Sequence, residues 1–159
     1  QDYENPLFSF GDGSNNWIFY RLPDVYLMKA EALAEIGGAA NLEEAVDLVS
    51  YTYDRAHPDL EEGSLKGKYT NQSEVRNLVF DERQREFLFE GKRYFDLVRR
   101  MRREGSPTNI VNTYLMRKYT SMSLDETTVR SKLDDKDAIY LPIHEEELRV
   151  NPLLVQNRF

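Results

Sequence analysis

The chain has 159 residues, of which 40% are hydrophobic and 31% charged, with a formal net charge of −7 and no cysteine. We expect residues 1–159 to form a single domain with a buried core, and no apolar run approaches the ~20 residues of a membrane-spanning helix. The absence of cysteine excludes disulfides, thiolate metal sites, a cysteine nucleophile and a lipid-modified cysteine within the chain. The negative charge argues against nonspecific binding of nucleic acid.

The first 20 residues are predicted to be a loop that ends in a short apolar segment. Turn-forming residues recur at Asn5-Pro6 and Gly11-Asp12-Gly13. The bulky run from Trp17 to Tyr20 favours an extended conformation, with Trp17 in the core rather than stacked on a sugar. The polar start lacks the pattern of a signal peptide, so we expect either a cytosolic protein or a leader outside this chain.

Two helices joined by a glycine turn are predicted next. The first covers residues 23–36, because proline suits the first turn of a helix and a Gly-Gly pair follows the last apolar position. The second is predicted to run to residue 56 from an N-cap at Asn41, with Glu44 completing a capping box. The hairpin resembles one tetratricopeptide unit, which cannot bury its faces alone and therefore implies helical neighbours.

The secondary structure of the rest of the chain is predicted from hydrophobic periodicity, helix-capping residues and turn-forming residues. The expected elements are helices over 72–90 and 92–103, an ordered excursion with a hairpin over 108–137, a strand-like run over 138–143, and a helical turn over 145–149. His144 is expected to cap that last turn. The predicted fold class is therefore mainly α, with long loops and little β structure.

The stretch from Asp81 to Arg103 carries the densest pattern of charge. Three glutamates recur there at intervals of four, so they fall on one helix face, which continues an apolar line and should be mostly buried. A buried carboxylate is costly unless it is paired, and arginine can pair with it bidentately. We predict a structural network that locks two helices, in which Arg83, Arg93 and Arg99 are the partners and at least two glutamates contact arginine. Its members are Glu82, Arg83, Glu86, Glu90, Arg93, Asp96 and Arg99.

The same carboxylates are not predicted to form a catalytic or metal site. A glycosidase acid needs a raised pKa, whereas the arginine neighbours here keep the carboxylates ionised. A di-iron bundle needs a Glu-x-x-His pair, but Arg93 follows Glu90 at that spacing. His57 and His144 have no partner at ligand spacing, and no P-loop, GxGxxG, GxSxG or HExxH motif occurs. We therefore predict no enzyme activity, no cofactor and no metal.

The sequence does not single out a ligand-binding residue. The arginine-rich run from Arg99 to Arg103 could contact an anion, although a solvated helix C-terminus, where cations complement the dipole, is favoured. Aromatic rings on loops could stack on a sugar, although packing is favoured for each candidate. The candidates are Trp17, Tyr69, Tyr114 and Tyr119.

Three groups of residues, in their order along the chain, identify a family. They are Arg21-x-x-Asp24-Val25-x-Leu27-Met28-x-Ala30-Glu31-Ala32; then Glu82-Arg83-x-x-Glu86-x-x-x-Glu90-Gly91-x-Arg93-x-Phe95-Asp96-Leu97-x-Arg99; and finally Leu141-Pro142-Ile143, Glu147-Leu148, Asn151-Pro152 and Gln156-Asn157. Together they resemble the C-terminal part of the SusD/RagB family over roughly residues 20–159. Pro23 and His144 depart from the family pattern but lie outside its central group.

The resemblance implies the C-terminal portion of a SusD-like α–α superhelical fold, with the N-terminal half, signal peptide and lipid anchor outside this chain. It implies a non-catalytic lipoprotein of Bacteroidetes on the outward face of the outer membrane, attached only through that anchor. Such a protein captures oligosaccharides, or peptides in some branches, for a SusC-like TonB-dependent transporter. Two alternatives come from the residues themselves: a helical-repeat module that binds another protein, and a glycosidase that uses the central carboxylates.

Overall fold

The structure is a computed structural model that describes residues 18–116, 125–137 and 139–157. Every regular element within these ranges is a helix, which confirms the mainly α fold class. The chain divides into two compact units, one ending at Glu86 and the other beginning at Phe87. We call them unit 1 and unit 2 and describe each by itself. That residues 1–159 act as one domain stays a prediction.

Unit 1 contains three helices, each of which packs against the other two. They are α1 (Leu22–Ile36), α2 (Ala39–Ala56) and α3 (Gln72–Glu86). Small and branched apolar side chains let the three helices approach closely and exclude water from the space between them. The core residues are Leu27, Ala30 and Ala34 on α1, Leu42, Ala45, Val46 and Val49 on α2, and Val75, Leu78, Val79 and Phe80 on α3.

The predicted hairpin of α1 and α2 is confirmed, but its predicted cap is wrong. The residue at the N-cap of α2 is Gly38, with φ at +88°, so the helix begins two residues before Asn41. Asn41 therefore lies inside the helix, where its side chain donates a hydrogen bond of 2.6 Å to the Gly37 carbonyl. The glycine pair supplies both the end of one helix and the start of the next.

α3 ends at Glu86, four residues before the predicted end at Glu90. The residues that follow form turns, in which Phe89 takes a left-handed conformation with φ at +67°. An α-helix cannot continue through a left-handed residue other than at a helix end. The apolar and charged pattern across these positions did not reveal this break.

Unit 2 is built from shorter helices. Those described are α4 (Arg93–Glu104), α5 (Thr108–Ile110), which continues into a π-helical stretch (Val111–Leu115), α6 (Glu126–Leu133) and α7 (Glu145–Val150). Met101, Ile110 and Val111 are buried among them. The predicted helices over 92–103 and 145–149 are confirmed, and His144 caps α7 by accepting a hydrogen bond from Glu146 N–H at 3.3 Å.

Two predictions of β structure are wrong for the residues described. The described parts of the excursion over 108–137 contain α5, the π-helical stretch and α6 but no strand, and residues 117–124 lie outside them. Residues 139–143 contain no strand, and Ala138 lies outside the described residues. Backbone groups of residues 141 and 143 are hydrogen-bonded to side chains near the end of the chain instead of to a neighbouring strand.

We predict that Gly37→Ala lowers the free energy of unfolding more than Gly67→Ala does. Both glycines have a positive φ, +76° and +71°, so alanine strains either backbone by about 1–2 kcal/mol. At Gly37 an added Cβ would also lie 2.8 Å from the Gln72 amide nitrogen, whereas nothing lies within 4 Å at Gly67. That amide donates to the Ala34 carbonyl at 2.9 Å, near the end of α1. Urea denaturation measures both losses, and equal losses would contradict a clash with Gln72.

Candidate functional site

One carboxylate joins the three helices of unit 1. Glu86, the last residue of α3, has a side chain only 7% exposed. Arg21, just before α1, contacts its Oε1 through one guanidinium nitrogen and donates from the other to the Glu86 carbonyl at 2.5 Å. Arg55, near the end of α2, donates to both carboxylate oxygens, at 2.7 and 2.6 Å. A buried anion is thus satisfied by two cations, one at the start of α1 and one near the end of α2.

Two further ion pairs lie in the same unit. Arg83 on α3 donates to Asp24 on α1 at 3.1 Å, and the side chains are 5% and 2% exposed. Glu82, also buried, accepts from Arg85 one turn along the same helix, at 2.8 Å. The Asp24–Arg83 pair therefore fastens α1 to α3 in addition to the contact at Glu86.

The surroundings of Glu86 lower the pKa of its carboxyl group. Burial raises the pKa of this carboxyl, but the hydrogen bonds from Arg55 and Arg21 and their positive charges outweigh burial, so its pKa lies below the usual 4.5. A group held ionised in this way is a poor proton donor at neutral pH, since a general acid needs a pKa close to the working pH. The arrangement is suited to structure rather than to acid catalysis.

Unit 2 has its own pairs along α4. Asp96, which is buried, accepts from Arg99 at 2.8 Å, and Arg100 donates to Glu104 at 2.7 Å. Burial raises the pKa of Glu104, but hydrogen bonds from Arg100 and Asn109 outweigh it and lower the pKa below 4.5. Both pairs lie within α4, and the Asn109 side chain connects the helix to the residues that follow it by donating to Glu104 at 3.1 Å.

The predicted network divides between the two units. Glu82, Arg83 and Glu86 lie in unit 1, while Glu90, Arg93, Asp96 and Arg99 lie in unit 2. Glu82 is buried, the Glu86 side chain is nearly so, and Glu90 is half-buried in the turn after α3. The guanidinium of Arg93 lies 5.2 Å from the centre of the Tyr114 ring. A lock between the third and fourth helices stays a prediction.

Sequence reasoning missed three of the arginines that contact these glutamates. Arg21, Arg55 and Arg85 were not named as partners, and Arg83 pairs with Asp24. Arg21 and Asp24 stand together in the first group of family residues, which was the available signal. Their partners are 65 and 59 residues away, beyond the reach of any helical spacing rule.

The last described residues of unit 2 hold a turn-rich segment in place. The side-chain amide of Gln156 exchanges two hydrogen bonds with the backbone of Ile143, at 2.8 and 2.9 Å. The side-chain amide nitrogen of Asn157 donates to the Leu141 carbonyl at 2.6 Å. Both ends of Leu141-Pro142-Ile143 are thus hydrogen-bonded to the Gln-Asn pair, so two segments of the third group of family residues contact each other.

Two open clefts offer room for a small ligand. The cleft in unit 1 has a volume of about 560 Å³ and is lined by Tyr51, a residue that is 65% exposed, together with Asp54 and Arg55. The cleft in unit 2 has a volume of about 290 Å³ and lies at the end of α4. Of the predicted aromatic candidates, Tyr69 is half-buried and Tyr114 lies beside arginine, while Trp17 and Tyr119 are outside the described residues.

Within residues 18–116, 125–137 and 139–157, no group of three histidine, cysteine, aspartate or glutamate residues is arranged to hold a metal ion. Across the same ranges, no helix is both long enough and apolar enough to cross a bilayer.

These features define a class of protein, a mainly helical one whose helices are joined by pairs of arginine and carboxylate side chains. The family model of the SusD family matches residues 8–159, and the chain belongs to this family. This confirms the resemblance drawn from the sequence.

Three curated relatives, all from Formosa agariphila, share part of their length with the chain. SusD-like protein P25 is 34% identical over 157 residues, which is 98% of this chain and 26% of that protein. SusD-like protein P2 is 38% identical over 96 residues, and SusD-like protein P38 is 34% identical over 87 residues. Each of these two matches covers 17% of the relative and about half of this chain. The chain thus spans about a quarter or less of these relatives, and no solved structure matches it significantly.

We predict that Asp24→Ala lowers the free energy of unfolding by about 3–5 kcal/mol, because it leaves the buried Arg83 without this partner. The matched control is Glu44→Ala, which breaks the exposed pair of Lys29 and Glu44, whose side chains are 57% and 49% exposed. Exposed pairs contribute about 0–1 kcal/mol. Urea denaturation compares the two variants, and a loss at Asp24 no larger than the loss at Glu44 would overturn the assignment.

The lowered pKa of Glu86 predicts a pH-dependent contribution to stability. Because the folded pKa lies below the usual 4.5, folding favours the ionised form, and the contribution is complete above about pH 4.5. It is lost as the pH falls through the folded pKa. The free energy of unfolding of the wild type should therefore exceed that of Glu86→Gln by a constant amount near neutrality.

This difference should shrink below pH 4.5, and denaturant titrations of both proteins from pH 7 to pH 3 measure it. Taking the difference removes the acid sensitivity of the other carboxylates, because they are present in both proteins. A difference that grows as the pH falls would contradict the assigned pKa direction.

Proposed function

We propose that the protein is a non-catalytic nutrient-binding protein at the outer-membrane surface, which captures an oligosaccharide for a SusC-like TonB-dependent transporter. The proposal is carried by the family match over residues 8–159. In this family the protein faces outward and is attached to the membrane through a lipid anchor. A peptide ligand, as in some branches of the family, is the nearest alternative.

The arginine and carboxylate pairs support a structural role for the central stretch rather than catalysis. Glu86 is held ionised by Arg21 and Arg55, and Glu82 is buried beside Arg85. A carboxylate enclosed by its own arginines has few lone pairs left to bind a sugar hydroxyl. We therefore propose that the seven residues of the predicted network position the helices, and that the ligand binds elsewhere.

A second candidate function comes from the outer face of α1. Its apolar residues recur at helical spacing on the side turned away from α2 and α3, where they are 41–72% exposed. They are Leu22, Val25, Met28 and Ile36. An exposed apolar stripe of this kind is typical of a helix that packs against another helix. This favours a helical-repeat module, and it is compatible with nutrient binding, because a longer protein can cover the stripe with its own helices.

We predict that the purified protein, including any sequence beyond these residues, binds at least one member of a panel of oligosaccharides and peptides. Isothermal titration calorimetry measures the affinity, and Glu86→Gln and Arg21→Ala serve as variants of the structural pairs, because neither residue lines one of the two clefts. Where these variants remain folded by circular dichroism, their affinity for the ligand should stay within about twofold of the wild type, since the pairs do not touch it.

Two outcomes separate the candidates. Clean absence of binding across the whole panel would overturn the nutrient-binding proposal and favour the interaction module. Hydrolysis of an oligosaccharide that disappears in a folded Glu86→Gln variant would instead establish a glycosidase, contrary to the proposal.

A further inference from the structure

We infer that the cleft at the end of α4 in unit 2 binds an acidic sugar residue, one that carries a carboxylate or a sulfate group. The inference rests on the proposed nutrient-binding function and names a ligand class for it. Two cations line this cleft. Arg102 lies on α4, and Lys136 lies in the segment after α6. Neither forms an ion pair with another residue that the structure describes, although the chain carries seven excess negative charges.

Two neighbouring arginines on α4 each pair with a carboxylate of the same helix. Arg99 pairs with Asp96 and Arg100 with Glu104 on the same helix, at 2.8 and 2.7 Å. The guanidinium of Arg102 instead lies 5.6 Å from the centre of the Tyr140 ring. A solvated helix end explains one unpaired cation. It does not explain why a second cation, from a distant part of the sequence, lines the same cleft beside an aromatic ring.

The wall that carries Tyr140 is held by hydrogen bonds on both sides. The Tyr94 hydroxyl donates to the Ile139 carbonyl at 2.7 Å, and the Tyr140 N–H donates to the Asp137 carbonyl at 3.3 Å. On the other side, the Leu141 carbonyl accepts from Asn157. A wall fixed before binding loses little conformational entropy when a ligand arrives, which favours affinity.

The floor of the cleft is the turn that ends α4. Gly105 takes a left-handed conformation there, with φ at +69°, and turns the chain toward Ser106. The Ser106 hydroxyl donates to the Thr108 hydroxyl at 3.0 Å and accepts from the Thr108 N–H at 3.2 Å. An oxygen with two lone pairs has one left to accept a hydrogen bond from a ligand.

These groups match an acidic sugar better than a simple anion. A guanidinium can bind a carboxylate or a sulfate through two parallel hydrogen bonds. The apolar face of a sugar ring can pack on Tyr140, which keeps its ring partly exposed. Asp137 also lines the cleft, and its negative charge disfavours a small anion while its oxygens can accept from sugar hydroxyls. The volume of about 290 Å³ lies at the small end of the ~300–1,000 Å³ typical of ligand sites.

The test is isothermal titration calorimetry of the purified protein with four probes. They are trigalacturonate, its fully methyl-esterified form, a sulfated chondroitin disaccharide and sodium sulfate. Trigalacturonate or the sulfated disaccharide should bind, while the methyl ester, which keeps the sugar rings but has no charge, should bind at least about tenfold more weakly. Sodium sulfate at the same concentration should give no measurable heat, since it offers no ring and no hydroxyl.

Variants locate the site for whichever acidic probe binds. Arg102→Ala and Lys136→Ala should each weaken its affinity by about tenfold, because each removes one charge-assisted contact. Arg103→Ala and Lys132→Ala are the matched controls: they remove the same charges from neighbouring exposed positions outside the cleft, and should change the affinity by less than about twofold. Thermal unfolding by circular dichroism verifies that all four variants are folded.

Each remaining outcome overturns the inference. Equal losses in the control variants would mean that only net charge matters. Equal binding of the methyl ester, or binding of neutral glycans with no effect of Arg102→Ala, would remove the acidic-sugar assignment while leaving nutrient binding intact. Failure of every acidic probe, together with every neutral glycan and peptide, would overturn nutrient binding as well.

Discussion

The three helices of unit 1 depend on a single buried carboxylate, that of Glu86. Hydrophobic contacts among α1, α2 and α3 supply most of the driving force for packing, but they are non-directional and tolerate small changes of register. The hydrogen bonds from Arg21 and Arg55 are directional, and they require the start of one helix and the end of another to meet the end of the third. A charge that is costly to bury thus disfavours every arrangement in which those two arginines are elsewhere.

The helices of this chain could be predicted from local pattern, and the contacts between them could not. The apolar period and the turn residues located α1, α2 and α4 to within three residues of their observed bounds. The early end of α3 was missed because the left-handed Phe89 is a property of the backbone that hydrophobic spacing does not report. Burial of the carboxylates could be predicted from spacing and the cost of an unpaired charge. Their partners could not, because Arg55 and Glu86 are 31 residues apart and only the folded chain brings them together.

Near the C-terminus, side chains satisfy backbone groups that a strand would satisfy in a sheet. The strand-like composition of residues 138–143 suggested a β ladder, but Pro142 has no N–H to donate, and Gln156 and Asn157 provide the hydrogen bonds on either side of it. The same residues that identify the family by their order therefore have a physical purpose, which is to fix the segment next to the cleft at the end of α4. Gln156 and Asn157, which help to identify the family, therefore also have a structural role.

The separation of 65 residues between Arg21 and Glu86 has a consequence for how the protein is made. During synthesis the N-terminal end of α1 leaves the ribosome long before its partner is translated, and the helix hairpin can form before the third helix exists. Until Glu86 emerges, Arg21 and Arg55 lack the anion that they share in the folded unit. The apolar faces that α1 and α2 bury against α3 remain exposed to water. Unit 1 can therefore be completed only after Glu86 has left the ribosome. Until then, the nascent chain is vulnerable to aggregation and proteolysis.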